Sequence, residues 1–366
     1  MKVPLLDLTA QYRSVRDEVR AALDEVLDEQ QLILGKHVER FEAELASFCG
    51  TRHALGVSSG TDALLASLMA LDIGPGDEVI CPAFTFFATA GAIARTGARP
   101  VLCDIEPHTF NIDVTKLDSL VTGRTRAIIP VHLFGQMARM ETIMEIAARR
   151  GIAVIEDAAQ AIGATRNGQL AGGVGSLGCL SFYPTKNLGA IGDAGAILTN
   201  DAALFERCRK VRVHGSGHTY FHEMIGGMFR MAAVQAAALS VKIKRLCEWN
   251  AGRIRNARRY DELLAGSGIV TPVVDEGNLH VYHQYTVRVP DRDRVKQALA
   301  DAGVGSGVFY PLGLHLQECF RYLGYRAGEL PETERASQEV LALPIYPELT
   351  DAQLEHVAQA LRAATH

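Results

Sequence analysis

One lysine stands out by its surroundings. In Ser181-Phe182-Tyr183-Pro184-Thr185-Lys186-Asn187-Leu188-Gly189 it follows a strand-like run at 180–183 and precedes the turn-forming Gly192-Asp193-Ala194-Gly195. A lysine held among apolar residues loses proton affinity, and its free amine becomes a nucleophile able to form a Schiff base with a carbonyl. The competing reading is an exposed loop lysine. Twenty-nine positions earlier, Ile152-Ala153-Val154-Ile155 leads into Glu156-Asp157-Ala158-Ala159-Gln160, so two carboxylates end a strand candidate. A buried carboxylate needs a partner, either an arginine or the protonated nitrogen of a bound ring. Earlier still, Ser58-Ser59-Gly60-Thr61-Asp62 opens an apolar helix candidate. Free N–H groups, a hydroxyl and the positive end of the helix dipole make a phosphate cradle there, although such residues also serve as plain N-caps. Cradle, strand-end acid and amine nucleophile, in that chain order, are together what pyridoxal 5′-phosphate requires.

Two other patterns invite different chemistry. Gly173-Val174-Gly175-Ser176-Leu177-Gly178 fits the dinucleotide fingerprint G-x-G-x-x-G, which must follow a strand and open a helix. Here a turn precedes it and a strand candidate follows, so the context is reversed. His214, His218 and His222 are spaced by four, as on a metal-binding helix face. Gly215 and Gly217 lie between them and disfavour helix; we expect a loop and no metal.

The elements that must position these groups alternate in type. Val15, Val19, Leu23 and Val26, then Phe41, Leu45 and Phe48, recur at helical spacing. Apolar runs at 78–81, 101–103, 127–129 and 152–155 are buried-strand candidates separated by helix-period segments such as the one carrying Met140, Ile143, Ile146 and Ala147. This alternation predicts an α/β fold, a mostly parallel sheet between helices, with ligands at the carboxyl ends of the strands. From 230 to 264 the chain reads as a charged helix or helix pair carrying Lys242, Lys244, Arg245, Arg253, Arg255, Arg258 and Arg259. A solvated helix face outweighs a nucleic-acid surface there. A strand at 285–289, a helix at 292–302 and two closing apolar helices make a smaller α+β unit. The expected division is a large cofactor-binding domain over 1–240 and a smaller C-terminal domain over 241–366.

The 366 residues carry 37 Lys+Arg against 42 Asp+Glu, a formal charge of −5, with 48% hydrophobic residues. Such a balance fits an ordinary globular protein and argues against one built to coat nucleic acid. No apolar run is long enough to span a bilayer or to serve as a signal peptide. The seven cysteines are scattered without paired spacing, which reads as reduced core thiols of a cytoplasmic protein.

Gly60-Thr61-Asp62-Ala63-Leu64, Gly74-Pro75-Gly76-Asp77-Glu78-Val79, Thr85-Phe86-Phe87-Ala88-Thr89, Val131-His132-Leu133, the Glu156 and Lys186 segments and Tyr310-Pro311-Leu312-Gly313-Leu314-His315 occur in an order that covers essentially the whole chain. In these motifs the sequence resembles the DegT/DnrJ/EryC1/StrS sugar aminotransferases of fold-type I. The resemblance implies that Lys186 is the Schiff-base lysine and proton shuttle, and that Asp157 pairs with the pyridine nitrogen. It also implies that Phe86 stacks on the ring, that Gln160 bonds the phenolic oxygen or packs beside the ring, and that Gly60, Thr61 and Ser181 hold the phosphate. Tyr310 and His315 lie where such enzymes approach the sugar, and Arg230 is a candidate for a carboxylate or diphosphate. The implied reaction moves an amino group from L-glutamate to the ketone of a nucleotide-linked keto-sugar, with 3-oxo favoured over 4-oxo. A homodimer with active sites between subunits is implied as well. The alternatives are an aminocyclitol aminotransferase and a non-catalytic regulatory protein; Lys186 argues against the dehydratases that carry histidine there. One departure matters: the family's Gly-x-Asn-x-Arg reads Gly226-Gly227-Met228-Phe229-Arg230. A thioether cannot donate a hydrogen bond to the neighbouring subunit's phosphate.

Overall fold

The computed structural model describes residues 1–218 and 220–365. After α1 (Leu8–Glu29) and α2 (Lys36–Cys49), strands and helices alternate: β1 (His53–Val57), α3 (Gly60–Ala70), β2 (Glu78–Pro82), α4 (Ala88–Arg95), β3 (Arg99–Cys103), α5 (Val114–Leu120), β4 (Thr125–Ile128), α6 (Met140–Arg150), β5 (Ala153–Asp157), β6 (Leu177–Ser181), β7 (Gly195–Thr199) and α7 (Ala202–Val211). The periodic segments become helices for the expected reason. Val15, Val19 and Val26 form the buried stripe of α1 while Asp7 caps its first turn, and Gly50 and Gly151 end α2 and α6 in the left-handed conformation.

Among the described residues, seven strands form the main sheet in the order β1-β7-β6-β5-β4-β2-β3. All neighbours are parallel except β7, which runs antiparallel to β1 and β6. The runs are almost wholly buried, as strands covered on both faces must be. Register then sets the site. Asp157, the last residue of β5, pairs with Cys179 of β6, and Gly195 at the start of β7 pairs with both Val57 and Ser181. The ends of β1, β5 and β6 therefore meet at one edge. A Cβ on Gly195 would come within 2.4 Å of the Ser59 carbonyl carbon, so only glycine admits the start of α3 there.

The basic stretch divides into α8 (Ala233–Lys242), a 3₁₀ turn and α9 (Leu246–Leu264). It does not form one solvated face: Lys242 and Arg253 are buried, and Arg259 pairs with Glu262 and Glu355. Beyond it, β8 (Tyr285–Arg288) and β9 (Val340–Leu343) pair antiparallel, with α10 (Arg292–Asp301), α11 (Pro331–Glu339) and α12 (Asp351–Thr365) around them. The sequence reading of two closing helices missed β9, because a four-residue apolar run shows no period of its own. The hydrophobic cluster here joins Tyr260, Tyr285, Val287, Leu341 and Leu343 to Val3, which bridges Val304. The His214–His222 stretch forms a short antiparallel pair, Ser216–His218 with Phe221–His222, and not a helix. Gly173 to Gly178 runs from a turn into β6, the reversed context expected.

Candidate active site

The sheet edge opens on a cavity of about 640 Å³, lined by groups from both parts of the chain. That volume suits a ligand of cofactor size. The two carboxylates of Glu156-Asp157 separate because successive strand residues face opposite ways. Glu156 turns inward, accepting from the backbone N–H groups of Gly172, Val174 and Gly175 at 2.7–2.9 Å, and lies 2.8 Å from His132 Nε2. Despite burial, these donors hold its carboxyl below the usual range. His132 Nδ1 accepts from the Ala138 N–H at 3.2 Å, so the Nε2 facing Glu156 carries the proton. Glu156 is thus a structural anion.

Asp157 lines the cavity and is 5% exposed. Thr89 Oγ1 donates to its Oδ2 at 2.8 Å and the Ala159 N–H to its Oδ1 at 3.2 Å. These two donors do not offset burial, which pushes the carboxyl up. Such a carboxylate has room for a cation, and a protonated ring nitrogen supplies one.

Lys186 faces the same cavity, with its Nζ in the field of Asp157. The residue is half-buried by accessible surface because it opens onto the cavity, yet the protein around it lowers the ammonium to about 8 against the pull of Asp157. A usable fraction of free amine follows near neutral pH.

Ser59 caps α3, its Oγ accepting from the Asp62 N–H at 3.0 Å and donating to Asp62 Oδ2 at 2.9 Å. Gly60, Thr61 and Ser181 line the cavity beside it. A Cβ on Gly60 would lie 2.6 Å from Ser181 Cβ, so the cradle is closed to any larger residue. Phe86, 57% exposed, lies on the wall with its ring 6.2 Å from that of Tyr310. Gln160 has both ends of its amide committed: Oε1 accepts from the Phe134 N–H at 2.7 Å and Nε2 donates to the Tyr310 hydroxyl at 3.1 Å. Since Tyr310 accepts that bond, its own O–H is free to donate into the cavity. Cradle, half-satisfied acid and amine are the donor set that pyridoxal 5′-phosphate needs, and the residues fit it.

Two expected substrate residues stand elsewhere. His315 is outside the cavity lining, 2% exposed, with Nε2 3.1 Å from Glu334. Arg230 is also outside the lining, and its Nε is buried without a partner among the described residues. Three cavity-related residues had no assigned role in the sequence. Thr89 lay in a quoted motif, His283 lay just ahead of the strand expected at 285–289, and Arg253 was taken as part of a solvated face.

A model of the DegT/DnrJ/EryC1/StrS aminotransferase family matches residues 13–362. A Geobacillus stearothermophilus protein named pleiotropic regulatory protein is 50% identical over 364 residues, covering 99% of this chain and 98% of the relative. The UDP-N-acetyl-3-dehydro-alpha-D-glucosamine 3-aminotransferase of Acidithiobacillus ferrooxidans is 42% identical, covering 100% of this chain and 98% of the relative. Among solved structures, Streptomyces venezuelae DesV in complex with a ketimine intermediate superposes with a TM-score of 0.97 at 42% identity, covering 100% of this chain and 99% of that one. The family uses pyridoxal 5′-phosphate, the cofactor that this cavity fits. Site geometry, family model and whole-chain similarity agree, and this chain belongs to the DegT/DnrJ/EryC1/StrS aminotransferase family.

Proposed function

We propose that the chain is a nucleotide-sugar aminotransferase that takes the amino group of L-glutamate and delivers it to the ketone of a nucleotide-linked 3-oxo sugar. The observation that carries this reading is the convergence of the Lys186 amine, the Asp157 carboxylate and the α3 N-terminus on one cavity. The name of the Acidithiobacillus relative supports the 3-oxo choice. Bound pyridoxal 5′-phosphate supplies an electron sink and a carrier for the amino group. Lys186 binds its carbonyl and, once released, moves the proton at the reacting carbon. Asp157 keeps the ring nitrogen protonated, with Thr89 fixing the carboxylate. Gly60, Thr61 and Ser181 hold the phosphate, and Phe86 covers the ring face. Gln160 turns the Tyr310 hydroxyl toward the sugar. Arg230, outside the cavity lining but with an unpartnered Nε, is assigned a carboxylate or diphosphate, and His315 is left to Glu334.

The same reading includes a homodimer with active sites between subunits. Exposed apolar side chains support it: Phe86 and Tyr183 at the cavity, and Phe221, Ile225 and Met228 on the segment before α8. We place the protein in the cytoplasm because all seven cysteines are free thiols, and burial pushes Cys49, Cys103 and Cys208 up to about 12. No helix among the described residues is long and apolar enough to cross a membrane.

The test is direct. The purified chain with cofactor should change its visible absorbance on adding L-glutamate, release 2-oxoglutarate, and aminate one member of a panel of UDP-, dTDP- and GDP-keto-sugars. Lys186→Ala should lose all three responses. A chain that binds cofactor but gives none of them supports the second reading, a regulatory protein, which the name of the Geobacillus relative favours.

A further inference from the structure

His283 shares the cavity with Lys186, and its ring is held from behind by a chain of amides. Asn250 Nδ2 donates to the Ile162 carbonyl at 3.0 Å, which fixes that amide and leaves its Oδ1 as an acceptor. Asn187 Nδ2 donates to this Oδ1 at 2.9 Å and to the Val281 carbonyl at 3.1 Å. The Asn187 Oδ1 then faces His283 Nδ1 at 3.2 Å. An amide oxygen only accepts, so the imidazole proton sits on Nδ1. In a neutral ring the other nitrogen, Nε2, is then a bare acceptor. Two backbone carbonyls anchor the relay, and neither end can reverse it.

The backbone that carries the ring is held as well. Arg253 Nη1 donates to the carbonyls of Tyr282 and His283 at 3.1 and 3.4 Å and to that of Ile345 at 2.8 Å. Asn187, the relay's middle member, is the residue after Lys186 in the chain and is 3% exposed. Burial and the positive charges of Lys186 and Arg253 hold the imidazole well below its ordinary pKa, so it stays neutral. Among the described residues, Nε2 has no hydrogen-bond partner although the residue lines the cavity. Asp157 also faces Lys186 and keeps acceptor capacity beside Thr89 and Ala159, so His283 Nε2 is a second, neutral acceptor for the amine in the same cavity.

We propose that His283 is a positioning residue for Lys186. Whenever the lysine is free of the cofactor, His283 Nε2 accepts a hydrogen bond from the Lys186 ammonium and holds that amine inside the cavity. No proton passes to the imidazole; the bond stabilises the charged lysine and sets its direction. The proposal rests on the reading of Lys186 as the cofactor-binding lysine.

Two measurements test it. Nitrogen-15 NMR of the histidine-labelled full-length chain, with His283 identified by its loss in His283→Gln, should show a protonated Nδ1 and a bare Nε2. A proton on Nε2, or an imidazolium at pH 7, would overturn the proposal. The second measurement strips the full chain of cofactor and follows capture of added pyridoxal 5′-phosphate against pH. The midpoint reports the proton affinity of Lys186, near 8 in the wild type. His283→Leu should move it about one pH unit lower, tenfold in proton affinity, the low end for a hydrogen bond to a charged group. His283→Gln, which keeps an acceptor, should restore it. Equal midpoints in wild type and His283→Leu refute the proposal. A wild-type chain that never captures the cofactor at Lys186 removes the functional reading, while the NMR result still decides the tautomer.

Discussion

Gly60→Ala is the sharpest probe of the phosphate cradle. A Cβ at position 60 would lie 2.6 Å from Ser181 Cβ and 3.2 Å from Ser181 Cα and Oγ. Carbon atoms pack at roughly 3.5 to 4.0 Å, so the shortfall at the Cβ is about 1 Å. Neither side can retreat easily: Ser181 is held in β6 by its pairing with Gly195, and Ser59, just before Gly60, caps α3. Gly60 does not occupy the left-handed region, so alanine meets no backbone penalty and the effect is steric. Overpacking of this kind costs about 1–3 kcal/mol. The same push displaces the N–H groups that face the phosphate, so affinity for pyridoxal 5′-phosphate should fall about tenfold or more, at about 1.4 kcal/mol per tenfold. Denaturant unfolding of the cofactor-stripped chain reads the first effect, and absorbance titration with the cofactor reads the second. Ser181→Gly removes the opposing Cβ. Alone it should destabilise by about 0.5–1 kcal/mol, but with Gly60→Ala it should recover about 1 kcal/mol of coupling energy in a double-mutant cycle. Unchanged stability and affinity in Gly60→Ala, or a strictly additive cycle, would refute the reasoning.

Asp157→Asn should abolish amino transfer yet stabilise the cofactor-free chain at pH 7. Burial raises the carboxyl's folded pKa, so wild-type stability falls as pH rises from the unfolded value through the folded one, and the amide escapes that penalty. Unfolding curves at pH 7 and pH 4 should show the gain at 7 and a smaller one at 4. Glu156→Gln should have the opposite sign: the folded pKa is lowered, so this carboxylate stabilises above the unfolded value and the benefit is lost as pH falls through the folded one. The variant loses hydrogen bonds to a charged acceptor and should lose about 1.5–3 kcal/mol at neutral pH and show a flatter acid-unfolding profile. Met228→Asn restores a donor that a thioether lacks and should tighten cofactor binding by about 1.5–3 kcal/mol, read by equilibrium titration. Unchanged affinity there would show that other groups anchor the phosphate fully.

The local signals were legible because each sits within one strand–turn or turn–helix segment. Lys186 after β6, the carboxylate pair ending β5 and the Gly60-Thr61 start of α3 depend on short-range pattern, and their chain order implies the cofactor. Boundaries were less legible: the strand expected at 180–183 is β6 at Leu177–Ser181, since an apolar run continues past the last ladder bond.

What tertiary structure alone decided concerns groups far apart in the chain. From the residues alone, Glu156 and Asp157 were equivalent candidates, and the resemblance chose Asp157. The strand's alternation and the Gly172–Gly175 turn show why, by committing Glu156 to His132 and the backbone. Tyr310 reaches the cavity and His315, five residues on, does not, because the turn between them sends the second ring to Glu334. Arg253 looked like one charge in a solvated helix, yet it is buried against three carbonyl oxygens. A sequence window shows residue type and period, which suffice to place a lysine or an acid on an element. The orientation of an amide, and hence which nitrogen of His283 is bare, is set by partners up to 121 residues away, and only the folded chain brings them together.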